Sequence, residues 1–86
     1  MIIHTHRNFD KKFKKLKSSE KLKFFERRNI FINDQFNSIL NNHALKGNYE
    51  GCRSINIGGN LRAVFKTVDN NMVLFVDIDT HSNLYE

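Results

Sequence analysis

The hydrophobic period of this chain changes once, and that change divides it into two kinds of structure. Up to about residue 40, apolar residues recur at helical spacing among runs of lysine; from Cys52 onward they alternate. Side chains three and four apart share a helix face, whereas those two apart share a strand face. Helices followed by strands in so short a chain predict an α+β domain with the helices gathered on one face of a sheet.

Met1-Ile2-Ile3-His4-Thr5-His6 begins with β-branched residues and reads as a short strand. Asn8 or Asp10 can cap a helix just after it, because a short polar side chain satisfies free N–H groups there. Phe9, Phe13 and Leu16 then form one apolar stripe, with Lys11, Lys12, Lys14, Lys15 and Lys17 between them. Ser18-Ser19-Glu20 breaks the pattern and offers a second cap. The spacing predicts a second helix over about residues 19–40, with Leu22, Phe25, Ile32, Phe36, Ile39 and Leu40 facing the core. Asn41-Asn42 closes it, since Asn tolerates the left-handed conformation at a helix end. The two helices form an αα-hairpin. Residues 43–51 are a loop punctuated by Gly47 and Gly51. A strand at 52–57, a turn at Gly58-Gly59-Asn60 and a strand at 61–68 follow. Asp69-Asn70-Asn71 is a tight hairpin turn. The nearly continuous apolar run from Met72 to Ile78 suits a central strand covered on both faces. Residues 79–86 close the chain as a loop or short turn. The expected order is β-α-α-β-β-β, with an N-terminal strand and a two-helix hairpin packed on an antiparallel-rich sheet.

Composition narrows the functional classes. A chain of 86 residues is one domain, 1–86. It lacks proline and has four glycines, which argues against long disordered linkers. Cys52 is the single cysteine, so no internal disulfide and no all-cysteine zinc site can form. With no signal-like segment, a reducing cytoplasm is the expected setting. No apolar stretch approaches the ~20 residues of a membrane span. His4 and His6 share a strand face but have no third ligand nearby, so neither a metal nor a small-molecule cofactor is expected. The net charge is +5, and residues 1–28 hold ten of the fourteen Lys and Arg against three acids. A basic region of this kind, continued by Arg27-Arg28, attracts a polyanion or an acidic partner segment; a merely solvated helix face is the alternative.

Three stretches carry a family resemblance. His43-Ala44-Leu45-Lys46-Gly47-Asn48-Tyr49-Glu50-Gly51 is similar to an H-x-L-x-G-x-aromatic-x-G loop. Arg53 to Lys66, with Leu61-Arg62-Ala63-Val64-Phe65-Lys66 at its end, is similar to a hairpin ending L-R-x-aliphatic-aromatic-K. Ile78-Asp79-Thr80-His81-Ser82-Asn83-Leu84-Tyr85 is similar to a terminal I-G-T-H-x-x-L-aromatic signature. In this order they resemble the RelE/ParE superfamily of bacterial toxins, and within it the YafQ-like mRNA interferases. The resemblance implies a compact RelE-like α+β toxin of a type II toxin–antitoxin system. Its members cleave mRNA, usually on the ribosome, by attack of the RNA's own 2′-hydroxyl without a metal, and a cognate antitoxin neutralises them. The implied site residues are His81, His43 and Arg62 for catalysis, with Asn60 and Tyr85 as RNA contacts; Lys46 and Arg53 add two cations that suit phosphate contacts. Three positions depart from the pattern. Asn56 and Asn60 stand where a His and an Asp are usual, and Asp77 where some relatives place an Arg. A ParE-like toxin acting on DNA gyrase, or a weakened RNA-binding member, are the competing readings.

The residue types fit the chemistry. Attack by a 2′-hydroxyl needs a base, an acid and a cation for the crowded phosphorane charge. An imidazole titrates near neutrality and can serve as acid or base, which suits His81; His43 is the second candidate or a helix-end cation. Arg62 leaves one face of its strand with a planar fork that matches a phosphate. Tyr85 can stack on an unpaired base or fold back as a core cap. Asn60 after two glycines can bind a base or simply shape the turn. Cys52 reads as a small hydrophobe rather than a nucleophile.

Overall fold

The computed structural model describes residues 1–85. Strand β1 (Ile2–Thr5) leads into helices α1 (Arg7–Lys14) and α2 (Ser18–Asn33). Strands β2 (His43–Ala44), β3 (Arg53–Gly58), β4 (Leu61–Asp69) and β5 (Met72–Thr80) follow, and a single turn of helix, α3 (His81–Leu84), ends the described chain. The five strands lie in the order β1-β5-β4-β3-β2. Only β1, paired with β5, is parallel to its neighbour. The expected α+β architecture and antiparallel-rich sheet are therefore present. Two short elements, β2 within the 43–51 loop and α3 after the last strand, were not resolved by periodicity.

One face of the sheet is covered by α1 and α2. Phe9, Phe24 and Phe31 from the helices meet Ile55, Ile57, Ala63, Phe65, Phe75 and Ile78 from the strands, and all are buried. Seven of the eight phenylalanines join one contiguous aromatic network, with Phe31 against Phe65 at 4.9 Å and Phe24 against Phe75 at 5.5 Å between ring centroids. Tilted and edge-on rings at these distances add to the burial energy of their area. Phe9 and Phe13 also contact Phe24, which holds the two helices together as the expected hairpin. Between Val64 and Phe65 the β4–β5 register shifts, so that Val76 is the extra residue of a bulge. That bulge re-aims the end of β5.

The helix boundaries correct three expectations. The cap of α1 is His6, whose Nδ1 accepts the Asn8 N–H at 3.0 Å, not Asn8 or Asp10. The cap position of α2 is Lys17, whose N–H donates to the Glu20 carboxylate at 3.0 Å. Helix α2 stops at Asn33 rather than reaching 40. Asn33-Asp34 hydrogen-bonds locally: the Phe36 N–H donates to Asp34. Such side chains compete with helix continuation. Asn41 does adopt the left-handed conformation, with φ 46°, but it closes a separate one-turn 3-10 segment, Ser38–Leu40.

The buried face of α2 also differs from the expected one. Phe24 and Phe31 point inward, whereas Leu22, Phe25, Ile32, Phe36 and Ile39 are exposed; of the expected set, Leu40 alone is buried. The helix is apolar on more than one side, so spacing alone offers two stripes. The complementary rings of Phe65 and Phe75 select between them. Arg27 and Arg28 flank the chosen stripe and are half-buried, with the Arg28 guanidinium over the Phe25 ring at 5.2 Å. The freely exposed basic residues of the first third are thus Arg7, Lys11, Lys14, Lys15 and Lys17.

Candidate nucleic-acid site on the open sheet face

Strand alternation sends Arg62 and Val64 away from the helices, because Leu61, Ala63 and Phe65 face them. Register then assigns the rest of this face. Arg62 lies opposite Asn56 on β3 and Asp79 on β5; Val64 lies opposite Ser54 and Asp77; His43 on β2 lies opposite Ser54. A second, smaller apolar cluster covers part of the face, made by Leu45, Val64 and Leu84 with Tyr49, Cys52, Val76 and Tyr85. This cluster half-buries Cys52, in keeping with a packing role. It also explains the apolar run of β5, which is covered on its second face at Val76.

Beside this cluster is a cavity of about 430 Å³ lined by Lys46, Gly47, Asn48, Tyr49, Leu84 and Tyr85. Gly47, at φ 67°, makes the turn that swings Lys46 to Tyr49 over the sheet. Helix α3 forms the other wall. Thr80 caps it, Leu84 anchors it in the apolar cluster, and its first residue, His81, is exposed. The His81 ring meets the Tyr85 ring edge-on at 4.5 Å, and the His81 N–H donates to the Asn60 carbonyl at 2.7 Å. Arg62 is next to that turn. Its Nη1 donates to the carbonyls of Gly59 at 2.8 Å and Leu61 at 3.1 Å. It makes no ion pair among the described residues, so neither Asp77 nor Asp79 occupies its fork.

The two aspartates are held by a different cation. Lys12 reaches from α1 to Asp77 at 2.9 Å and Asp79 at 3.0 Å. Burial disfavours the Lys12 ammonium, but hydrogen bonds and charge from both aspartates outweigh that and raise its pKa. Burial likewise works against the Asp79 carboxylate, yet Asn83, the Thr80 N–H and Lys12 donate to it and hold its pKa below the ordinary value. Tyr49 donates its hydroxyl to Asp77, and burial together with that neighbouring carboxylate pushes its pKa up to about 12. Asp77 is only 2% exposed and fully engaged, so its charge is compensated rather than presented to a ligand.

His81, Asn60 and Arg62 therefore meet at the β3–β4 turn, and Tyr85 links His81 to the cavity that Lys46 lines. His43 shares the face but lies three strands from β5, roughly 14 Å at ordinary strand spacing, with Nδ1 2.8 Å from the Asn41 carbonyl. Arg53 faces the helix side, opposite Phe65. Its guanidinium donates to Asn42 at 2.7 Å and stacks over Phe36 at 5.3 Å. Sequence reasoning missed Lys12, Tyr49 and Asn83. The available signal was Asp77 inside an apolar strand, since a buried carboxylate requires partners. Among the described residues, no three His, Cys, Asp or Glu side chains stand close enough to share a metal ion, and no helix is long and apolar enough to cross a membrane.

The class is defined first by fold. The structure superposes on the YoeB/ParE toxin from Agrobacterium tumefaciens with a TM-score of 0.77 at 14% identity, covering 94% of this chain and 99% of that one. It superposes on the heterotetrameric YoeB–YefM toxin–antitoxin complex from Staphylococcus aureus with a TM-score of 0.75 at 20% identity, over 94% and 97% of the two chains. The E. coli DinJ–YafQ complex gives 0.69 at 20% identity, over 98% and 97%. No curated protein matches the sequence at a significant level. The family described as "Bacterial toxin of type II toxin-antitoxin system, YafQ" matches residues 1–86, the whole chain. The chain belongs to that family and is a type II toxin.

Proposed function

We propose that this toxin is a metal-independent endoribonuclease that cleaves ribosome-associated mRNA in the cytoplasm, and that a cognate antitoxin protein neutralises it. The observation that carries the reading is the position of His81: exposed, edge-on to Tyr85, tied to Asn60 and near Arg62, which makes no ion pair among the described residues. An RNA strand laid across this end of the sheet would meet an imidazole for proton transfer and a guanidinium for the developing charge. The His81 imidazole transfers a proton to or from the reacting oxygens, and Arg62 stabilises the phosphorane-like charge. Tyr85 stacks on an unpaired base, and Lys46 and Asn60 hold the neighbouring phosphate or sugar. His43, the other imidazole on this face and the expected partner in proton transfer, lies three strands from β5 and out of reach of that phosphate, so it would meet a flanking part of the RNA. Arg53, expected from the sequence to contact RNA, is turned to the helix side and engaged by Asn42 and Phe36, so it lies off this surface. The antitoxin assignment is supported by the superposed YoeB–YefM and DinJ–YafQ pairs.

The test is incubation of the purified protein with ribosomes and mRNA, followed by mapping of the cut ends. A parallel reaction uses an unstructured RNA in EDTA. Cleavage in both, with gyrase supercoiling unaffected, is the expected result. Activity lost in EDTA and restored by zinc or magnesium on the unstructured RNA would overturn the metal-independent mechanism. Gyrase inhibition without RNA cleavage would favour the ParE-like alternative.

A further inference from the structure

We propose that Lys12 of α1 is a positioning residue for His81, acting through Asp79 and Asn83. The proposal rests on His81 being the catalytic imidazole. Helix α3 has four residues, too few to be stable alone, so its orientation comes from its attachments. Leu84 fixes one point by burial. The His81 N–H bond to the Asn60 carbonyl fixes another, and together they leave rotation about the line between them. Asn83 supplies the third point, since its side-chain amide donates to Asp79 Oδ1 at 3.0 Å. The same oxygen accepts the Thr80 N–H at 2.7 Å, at the junction where β5 becomes α3. The other carboxylate oxygen, Oδ2, is held by Lys12 at 3.0 Å. Asp79 thus spans from α1 to α3.

Lys12 is required for this span because of Asp77. The two aspartates alternate on β5 and share a face, on the order of 7 Å apart along the strand. Lys12 lies between them and is the cation that offsets both. Without it, two carboxylates would stand together beside the site, one of them almost fully buried. Asp79 would turn toward solvent or take up a proton, and either change weakens its hold on Asn83 and Thr80. The His81 ring packs on Tyr85, the residue just after α3, so it would move with the turn.

The experiment compares wild type with Asn83→Ala, Lys12→Met and Lys12→Arg. The first readout is the NMR shift of the His81 ring protons, assigned by their loss in His81→Gln; the Tyr85 ring current displaces them from their exposed values. The second is kcat and KM for RNA cleavage. In Asn83→Ala and Lys12→Met the His81 resonances should move toward those of a free histidine. For Asn83→Ala, which alters no charge, kcat should fall about 10- to 100-fold with KM little changed, as for a misplaced catalytic group. Lys12→Arg should restore both readouts. Should Lys12→Met fail to fold, Asn83→Ala decides, because Asn83 is exposed. Unmoved His81 resonances and an unaltered kcat in Asn83→Ala would overturn the proposal. Failure of the nuclease reading is distinguishable: wild type would then be inert on RNA, while the His81 shifts would still report whether the turn is held.

Discussion

His81 buries no part of the core, and this makes its removal informative. His81→Ala should leave the fold and thermal midpoint nearly unchanged while abolishing cleavage and toxicity. Arg62→Ala should cost on the order of 10²–10³-fold in kcat, the loss typical of one electrostatic donor. Single-turnover cleavage with matched circular dichroism checks both, and near wild-type rates in His81→Ala would show the chemistry to lie elsewhere. The Lys12 cluster predicts a pH dependence of stability. Asp79 has a lowered pKa, so its contribution is present above the ordinary carboxylate value of 3.8 and is lost as pH falls through the lowered one. Lys12 has a raised pKa, so its contribution is present below 10.5 and is lost as pH rises through the raised value. Tyr49 acts in the same direction between its ordinary 10.0 and about 12. Urea midpoints should fall at both extremes, and Asp79→Asn should flatten the acid limb. An unchanged acid limb in that variant would contradict the assignment. At this scale, the sequence disclosed that Arg62 and its apolar neighbours Leu61 and Ala63 take opposite faces, because strand alternation is strict. It could not disclose Lys12, because the contact with Asp77 and Asp79 joins residues more than sixty positions apart.

Elements were legible where one local rule dominated. The β4–β5 hairpin closes at Asn70-Asn71, with Asp69 opposite Met72, as its polar turn implies. Helix α1 buries Phe9 and partly buries Phe13, and Leu16 just past its end continues that apolar stripe. In α2 two stripes were available, and the sheet's aromatic residues chose between them. Phe31→Ala should therefore destabilise by about 3–5 kcal/mol, as large aromatic truncations in cores do. Leu22→Ala, at a side chain 71% exposed, should stay within about 0.5 kcal/mol. The reverse ranking in urea unfolding would restore the face expected from spacing. The basic character of α1 is carried by side chains that remain exposed. Reversing Lys11 and Lys14 to Glu should weaken ribosome binding and reduce its salt dependence while leaving the fold intact. Affinity indifferent to salt and to both reversals would mean that the helix face is only solvated.

For the molecule as a whole, three sequence stretches between residues 43 and 85 sufficed to indicate the toxin family, which matches the entire chain. Their convergence is visible only in the fold: the 46–49 loop and α3 wall one cavity, and the β3–β4 turn meets the start of α3 through Asn60 and His81. Separation within the site was less legible, since short β2 places His43 at the far edge of the sheet and Arg53 turns to the helix side. The central claim, that this toxin cuts RNA by the substrate's own 2′-hydroxyl with His81 as proton carrier, is tested most directly on a matched pair of substrates. One carries ribose at the mapped cut site and the other a single 2′-deoxyribose there. The ribose substrate should be cut to a 2′,3′-cyclic or 3′-phosphate end and the deoxy substrate left intact. Equal cleavage of the two would show that the nucleophile comes from elsewhere and would contradict the mechanism.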